Sequence, residues 1–294
     1  VATTVLGGQI WRDNGRFIRS SITWREMWAG VKRHRKFPLY SSWGALINTA
    51  SWQIPILMLG AFFSPAIVGF YSLGYRLIQM PLSLIGGAIS QVFFQRGAEA
   101  RNSGALSRLV EGLFNRMLII GLLPSMILMV IGADLFAFVF GAEWREAGVF
   151  TQILAPWALV WYLSSPLSTI YAIQEKQKME FVMHGTIFIT RFFAITIGGF
   201  IGSPRLAVTL FSAGGILAYG YLLYMIFSYS NLSPAIQFKH FLKKIVFVSI
   251  YLIPVLIAKY NTTLTDIWVF IISGCMLVLF YFQSRRLFFS SDPM

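Results

Sequence analysis

Cysteine, histidine and negative charge are all scarce in this 294-residue chain, and each scarcity removes a class of function. The single cysteine, Cys275, lies inside an apolar run, which leaves no disulfide framework and no thiolate metal site. The three histidines, His34, His184 and His240, are scattered over separate segments. Asp and Glu number 11, and all charged residues together make up only 12% of the chain. No H-E-x-x-H, P-loop or G-x-S-x-G pattern occurs. A membrane glycosyltransferase or polymerase needs a large soluble loop or a dense set of catalytic acids and bases, and neither is present. The reading is a protein that is not an enzyme and needs no metal or cofactor.

What the chain has instead is hydrocarbon. Apolar residues make up 56%, aromatics 16%, and the mean hydropathy is +0.67. These values exclude an ordinary soluble domain and fit an all-α integral membrane protein. Eight stretches approach the roughly 20 apolar residues that cross a bilayer. They are 43–63, 66–94, 113–133, 148–171, 181–202, 206–228, 243–260 and 265–284. The second is long enough to tilt or to project beyond the membrane. Leu135 to Gly141 is apolar but too short to cross, and reads as an interfacial or re-entrant piece. The chain starts Val1-Ala-Thr-Thr-Val-Leu-Gly-Gly, without an initiator Met or a basic leader. That start reads as the tail of a preceding span, so an N-terminally truncated protein is expected.

The net charge of +13 need not mean nucleic acid, because its distribution follows the membrane. If the spans alternate and residues 9–42 are cytoplasmic, 19 of the 24 basic residues fall on the cytoplasmic side and only Arg145, Arg205 and Lys259 on the other. That bias is the positive-inside rule, and it places the N-terminal linker and the C-terminus in the cytoplasm. The acids on the opposite side, Asp134, Glu143, Glu146 and Asp266, form no pair with an obvious shared site. Within the linker, Thr23-Trp-Arg-Glu26 has the form of a capping box. Trp24, Met27, Trp28 and Val31 then repeat at i, i+3, i+4, i+7. A short basic amphipathic helix on the membrane surface follows, with a calmodulin-type target as the minor alternative. Prolines recur within spans, at Pro55, Pro81, Pro124, Pro156, Pro166 and Pro254. Such prolines bend or break the helices that shape transporter cavities, although membrane helices also tolerate them for packing alone.

The two remaining basic residues, Arg76 and Arg191, sit about midway along apolar stretches. A guanidinium at the bilayer centre costs about 2.5–3.5 kcal/mol on insertion scales. Neither has an acid one helical turn away. Polar residues nearby include Asn48 and Gln53 in the first span, Gln79 one turn after Arg76, and His184 two turns before Arg191. Packing between helices is one use for such side chains. The other is a cationic, water-filled cavity, and Arg76, Arg191, Gln79, Asn48 and Gln53 are the candidate substrate-binding set. Bidentate guanidinium contacts suit a diphosphate.

One stretch carries a more specific signal. Gly141-Ala-Glu-Trp-Arg-Glu-Ala-Gly148 is followed by Gln152-Ile-Leu-Ala-Pro-Trp157, then Ser164-Ser-Pro-Leu-Ser168, then Glu175-Lys-Gln177. This series, with Leu73-Gly-Tyr-Arg76 and Pro81-Leu82 before it, resembles the C-terminal half of bacterial polysaccharide exporters of the Wzx type. These belong to the multidrug/oligosaccharidyl-lipid/polysaccharide flippase superfamily. The resemblance implies residues 1–42 as the end of a preceding span plus an inter-lobe linker, and 43–228 as a six-helix transport lobe. Residues 229–294 would then hold two additional transmembrane helices and a short basic tail. It implies flipping of undecaprenyl-diphosphate-linked oligosaccharides across the bacterial inner membrane by alternating access between two lobes. Membrane lipids, a polysaccharide polymerase and a chain-length regulator are the implied partners, with no nucleic acid among them. A multidrug exporter of the same superfamily is the nearer rival, and a membrane polysaccharide polymerase the more distant one.

Overall fold

A computed structural model describes residues 8, 11–12, 23–33, 42–260 and 266–289. Among the described residues there are helices and connecting turns but no strand, and eight helical segments are long and apolar enough to cross a membrane. The linker helix is α1, Trp24–Arg33. Trp24 and Trp28 are both exposed on it, while the side chains of Glu26 and Val31 lie outside the described residues.

The spans begin with α2, Trp43–Phe62, and α3, Pro65–Ser103. They continue with α4, Leu106–Phe140, and α5, Arg145–Ser164. Next come α6, Gln177–Phe200, and α7, Pro204–Tyr229. The last two spans are a broken pair, α8 Pro234–Ser249 and α9 Ile253–Tyr260, and then α10, Asp266–Phe289. At 1.5 Å per residue the 39 residues of α3 run about 58 Å, far more than the hydrocarbon thickness. Its expected projection beyond the membrane follows from that length.

Prolines act in two ways. Pro55, Pro81, Pro124 and Pro156 lie inside continuous helices. Pro166 instead opens a 3-10 turn, Pro166–Thr169, that ends α5 and leads into the short helical turn Ile170–Ile173. Before Pro254 a second 3-10 turn, Ile250–Leu252, separates α8 from α9. A span was expected to start at 243; helix begins at Pro234, whose missing N–H is harmless in a first turn.

Two expectations about the α4 end are corrected. Leu135 to Gly141 is not a separate interfacial piece, because α4 runs unbroken to Phe140. Asp134, which looked like a loop residue, is accommodated in the helix because Arg145 and Lys259 pair with it at 2.7 and 3.2 Å. Its carboxylate joins α4, the start of α5 and the end of α9.

The packing makes a closed bundle. α4 lies along α5, α5 against α3 and α7, α7 against α6, and α6 against α2, which returns to touch α3. With little hydrophobic gain available between helices in lipid, close backbone approach has to hold them. A Cβ on Gly198 of α6 would sit 2.3 Å from Ala207 Cα of α7, and one on Gly148 of α5 would sit 2.4 Å from the Gly132 carbonyl of α4. The final pair packs on the far side of α4. Polar ties fix it there: Lys244 to Asn115 at 2.8 Å, Gln237 to Glu111 at 3.1 Å, and Tyr281 to the Ile120 carbonyl. α5 is the most buried span, whereas α2 and α3 leave long faces uncovered.

Candidate functional site

Where α2, α3, α5, α6 and α7 converge, the bundle holds a column of aromatic rings. Tyr71 and Tyr75 stack at 5.5 Å, Tyr75 and Trp157 at 5.8 Å, and Trp157 and Trp161 at 6.1 Å. Both partners in the first and last of these pairs are four residues apart on one helix, which places them on one face. Trp52 of α2 leans on the end of the column, 5.5 Å from Trp161 in an edge contact.

Arg191 is set into this column. Its side chain is almost wholly buried, at 2% exposure. Nη1 donates to the Ser51 carbonyl at 2.9 Å and to Ser51 Oγ at 3.0 Å, and Nη2 donates to the Tyr219 hydroxyl at 3.1 Å. The guanidinium carbon lies 4.1 Å from the centre of the Trp52 ring, 5.4 Å from Phe211 and 5.8 Å from Trp157. No carboxylate pairs with it among the described residues. Neutral oxygens and ring faces therefore solvate the charge, each cation–π contact being worth about 2 kcal/mol when desolvated. Arg191 ties α6 to α2 and α7 and faces the inside of the bundle.

The other candidates divide. Asn48 and Gln79 line a cavity of about 400 Å³ on the other side of Trp52 and Tyr219 from the arginine. His184, two turns from Arg191 on α6, lines it too, and so do Glu180, Ser165 and Ser168. Trp161 and Ser165 continue into a smaller neighbouring space of about 240 Å³. Gln53 is exposed on α2 and does not line the cavity. Arg76 is exposed on the open face of α3, one turn from Gln79, and no carboxylate pairs with it among the described residues. The structure thus brings Asn48 and Gln79 together, sets Arg191 behind the same wall and leaves Arg76 on the surface.

Two residues that line the cavity each carry a buried polar atom without a partner. The Tyr171 hydroxyl and His184 Nδ1 are both buried and unbonded. His184 Nε2 is 4.0 Å from Glu180 Oε1 one turn earlier. An unmet buried donor or acceptor costs about 1–3 kcal/mol, so these atoms call for water or a ligand. Ser165 and Ser168, three residues apart at the start of the 3-10 turn, share one side of it, and both line the cavity. Among the described residues no group of His, Cys, Asp and Glu is placed to hold a metal ion.

The first part of the motif stretch, Gly141 to Gly148, is architectural. Gly141 takes φ +106° at the turn, and Trp144 meets Phe70 edge-on at 5.7 Å. Arg145 pairs with Asp134, and Glu146 accepts two hydrogen bonds from Arg205 at 2.7 and 2.6 Å. Gly148 lets α4 and α5 close on each other. The cavity residues that sequence reasoning missed are Trp52, Trp161, Tyr171, Tyr219 and Glu180. The available signals were the four-residue spacings Trp157–Trp161 and Glu180–His184.

The described residues form an all-α bundle of membrane-spanning helices with a partly polar cavity in it. Three comparisons give the known proteins that the chain resembles. Residues 16–149 match the family described as Polysaccharide biosynthesis protein. Teichuronic acid biosynthesis protein TuaB of Bacillus subtilis (strain 168) is 24% identical over 155 residues, covering 52% of this chain and 32% of that protein. Lipopolysaccharide biosynthesis protein WzxC of Escherichia coli (strain K12) is 22% identical over 176 residues, covering 58% of this chain and 35% of that protein. The matches thus span about a third of the length of these curated relatives. In fold, the chain is similar to Lipid II flippase MurJ in its inward closed conformation. That likeness has a TM-score of 0.66 at 16% identity, over 83% of this chain and 53% of that one.

Proposed function

We propose that this protein takes part in translocating a lipid-linked, anionic saccharide across the bacterial inner membrane, with Arg76 meeting the negative charge. One observation carries the reading: a flippase-like bundle keeps an unpaired arginine mid-span on a face that its own helices leave open. In hydrocarbon that position would cost about 2.5–3.5 kcal/mol, so it belongs against water or an anion. From Trp43 to Phe94 the chain has no Asp or Glu, which disfavours the rival reading of an exporter of organic cations. Residues 43–228 then act as one transport lobe and 229–294 as an added helix pair. A cytoplasmic linker and C-terminus accord with the ion pairs at the opposite end. All three basic residues read as lying there are ion-paired, Arg145 and Lys259 sharing Asp134 and Arg205 meeting Glu146.

The test is replacement of Arg76 in cells whose surface polysaccharide depends on this protein. Arg76→Ala should reduce surface polymer at least tenfold at equal protein level, about the loss of one charge-assisted bidentate contact. Arg76→Lys should recover part of it, since a point charge replaces a planar fork. Wild-type polymer in Arg76→Ala cells would overturn the reading. Resistance to cationic dyes on expression would favour the exporter instead.

A further inference from the structure

We propose that the 400 Å³ cavity beside Trp52 and Trp161 is a binding subsite for neutral sugar, separate from the place where the anionic headgroup is met. The inference rests on the translocation reading and adds the chemistry of one part of the cargo to it.

The wall of the cavity divides by chemistry. Trp52 and Trp161 offer ring faces and edges, set 72° apart with their centres 5.5 Å from each other. A pyranose has an apolar face of C–H groups that packs on such rings, and hydroxyls around its rim that need directed partners. Those partners are Asn48 and Gln79, which both donate and accept, and Glu180, which accepts. They come from three helices, α2, α3 and α6, and so surround the space instead of lining one side of it.

The unmet atoms point the same way. Tyr171 is 1% exposed, and its hydroxyl has no protein partner. His184 Nδ1 is also buried and unbonded in the same wall. A buried hydroxyl and an imidazole nitrogen without protein partners, both on residues that line a polar space, suit a ligand rich in hydroxyls. A site built to hydrogen-bond hydroxyls also rejects analogues without them.

The lining offers a headgroup no direct cationic partner. Among the described residues no Lys or Arg lines the cavity, and the carboxylate that does, Glu180, would repel a phosphate. Arg191 lies nearby, but its Nη1 and Nη2 already donate to Ser51 and Tyr219, and Trp52 stands between it and the space. The same repulsion disfavours uronic acids. A volume of about 400 Å³ lies within the range of small-molecule sites, roughly 300–1,000 Å³.

The experiment is a titration of intrinsic tryptophan fluorescence on the purified protein in a sugar-free zwitterionic detergent. The probes are N-acetylglucosamine, methyl glucoside, glucuronic acid and inorganic pyrophosphate. A neutral sugar should give a saturable change with a midpoint of roughly millimolar, glucuronic acid a weaker one and pyrophosphate none. Tyr171→Phe, which removes one hydroxyl and little volume, should weaken neutral-sugar binding about fivefold, and Glu180→Gln should bring glucuronic acid up to the neutral sugars. Absence of a saturable response to either neutral sugar up to about 100-fold above millimolar would overturn the proposal, as would binding unchanged in both variants. Failure here with export still dependent on Arg76 sinks the subsite alone. Sugar binding in a protein whose export ignores Arg76→Ala sinks the anion reading and leaves the subsite standing.

Discussion

Arg191→Ala separates a structural from a substrate-binding use of the buried charge. The wild-type guanidinium makes three hydrogen bonds and lies 4.1 Å from the Trp52 ring centre. Hydrogen bonds to a charged group contribute about 1.5–3 kcal/mol each, and a desolvated cation–π contact about 2 kcal/mol. Removing the ion from water costs several kcal/mol in return, so its net worth is far below that sum. Truncation to alanine does more than cancel a small net term. It strips the partner from the buried Ser51 and Tyr219 oxygens and empties the space between Trp52, Phe211 and Trp157. The expected loss is about 3–5 kcal/mol, the usual range when one member of a buried polar arrangement is deleted. Arg191→Met refills part of the space beside Trp52 and removes the charge with its desolvation cost, but it leaves the Ser51 and Tyr219 oxygens unmet as alanine does, so it should lose about 1–3 kcal/mol, less than alanine. The assay is thermal melting of purified protein in detergent, run beside surface-polymer export at equal protein level. Alanine should melt well below wild type and methionine between the two, and both should export close to wild type at equal protein level. An alanine variant that melts like wild type but does not export would refute the reasoning and return Arg191 to the substrate path.

Two further outcomes follow from the packing. Gly198→Leu places side-chain atoms where the Ala207 backbone stands, 2.3 Å from the Cβ position, and should reduce folded protein in the membrane several-fold on detergent gel filtration, whereas Gly185→Ala, in open space, should not. Asp134→Asn should loosen α9 from α4 by removing the carboxylate that Lys259 and Arg145 share, and hydrogen exchange should rise in Ile253–Tyr260 while α6 and α7 stay protected, a change of about 1–3 kcal/mol in local opening.

The eight spans were legible because each is a long apolar run, and runs of that length leave few alternatives in a bilayer. Their ends were less so. Asp134 reads as a loop residue until Arg145 and Lys259 are known to reach it, and Lys259 lies 125 positions further on. The cavity was legible only in part for the same reason. Asn48 and Gln79 stand out as polar residues inside apolar spans, but Trp52 and Trp161 look like ordinary interior aromatics. Only folding brings them to the wall of one space. The four-residue spacings within α3, α5 and α6 mark shared faces, yet periodicity says nothing about which faces meet.

The two mid-span arginines show how an equal cost in sequence can be met unequally in structure. Within the bundle Arg191 has Ser51, Tyr219 and three ring faces, so its two Nη groups are already engaged and its charge is held in place by neutral groups. Arg76 has none of these, and no Asp or Glu occurs between Trp43 and Phe94 to supply them. Moving Arg76 into the interior would require a second cage, and the aromatic column is already occupied by the first. Its five N–H donors must therefore be met from beyond the helices that carry it, by water or by an anion. A face that holds such a group mid-span is unsuited to lipid, and that is the physical reason to place the path of a charged cargo along the open side of α3.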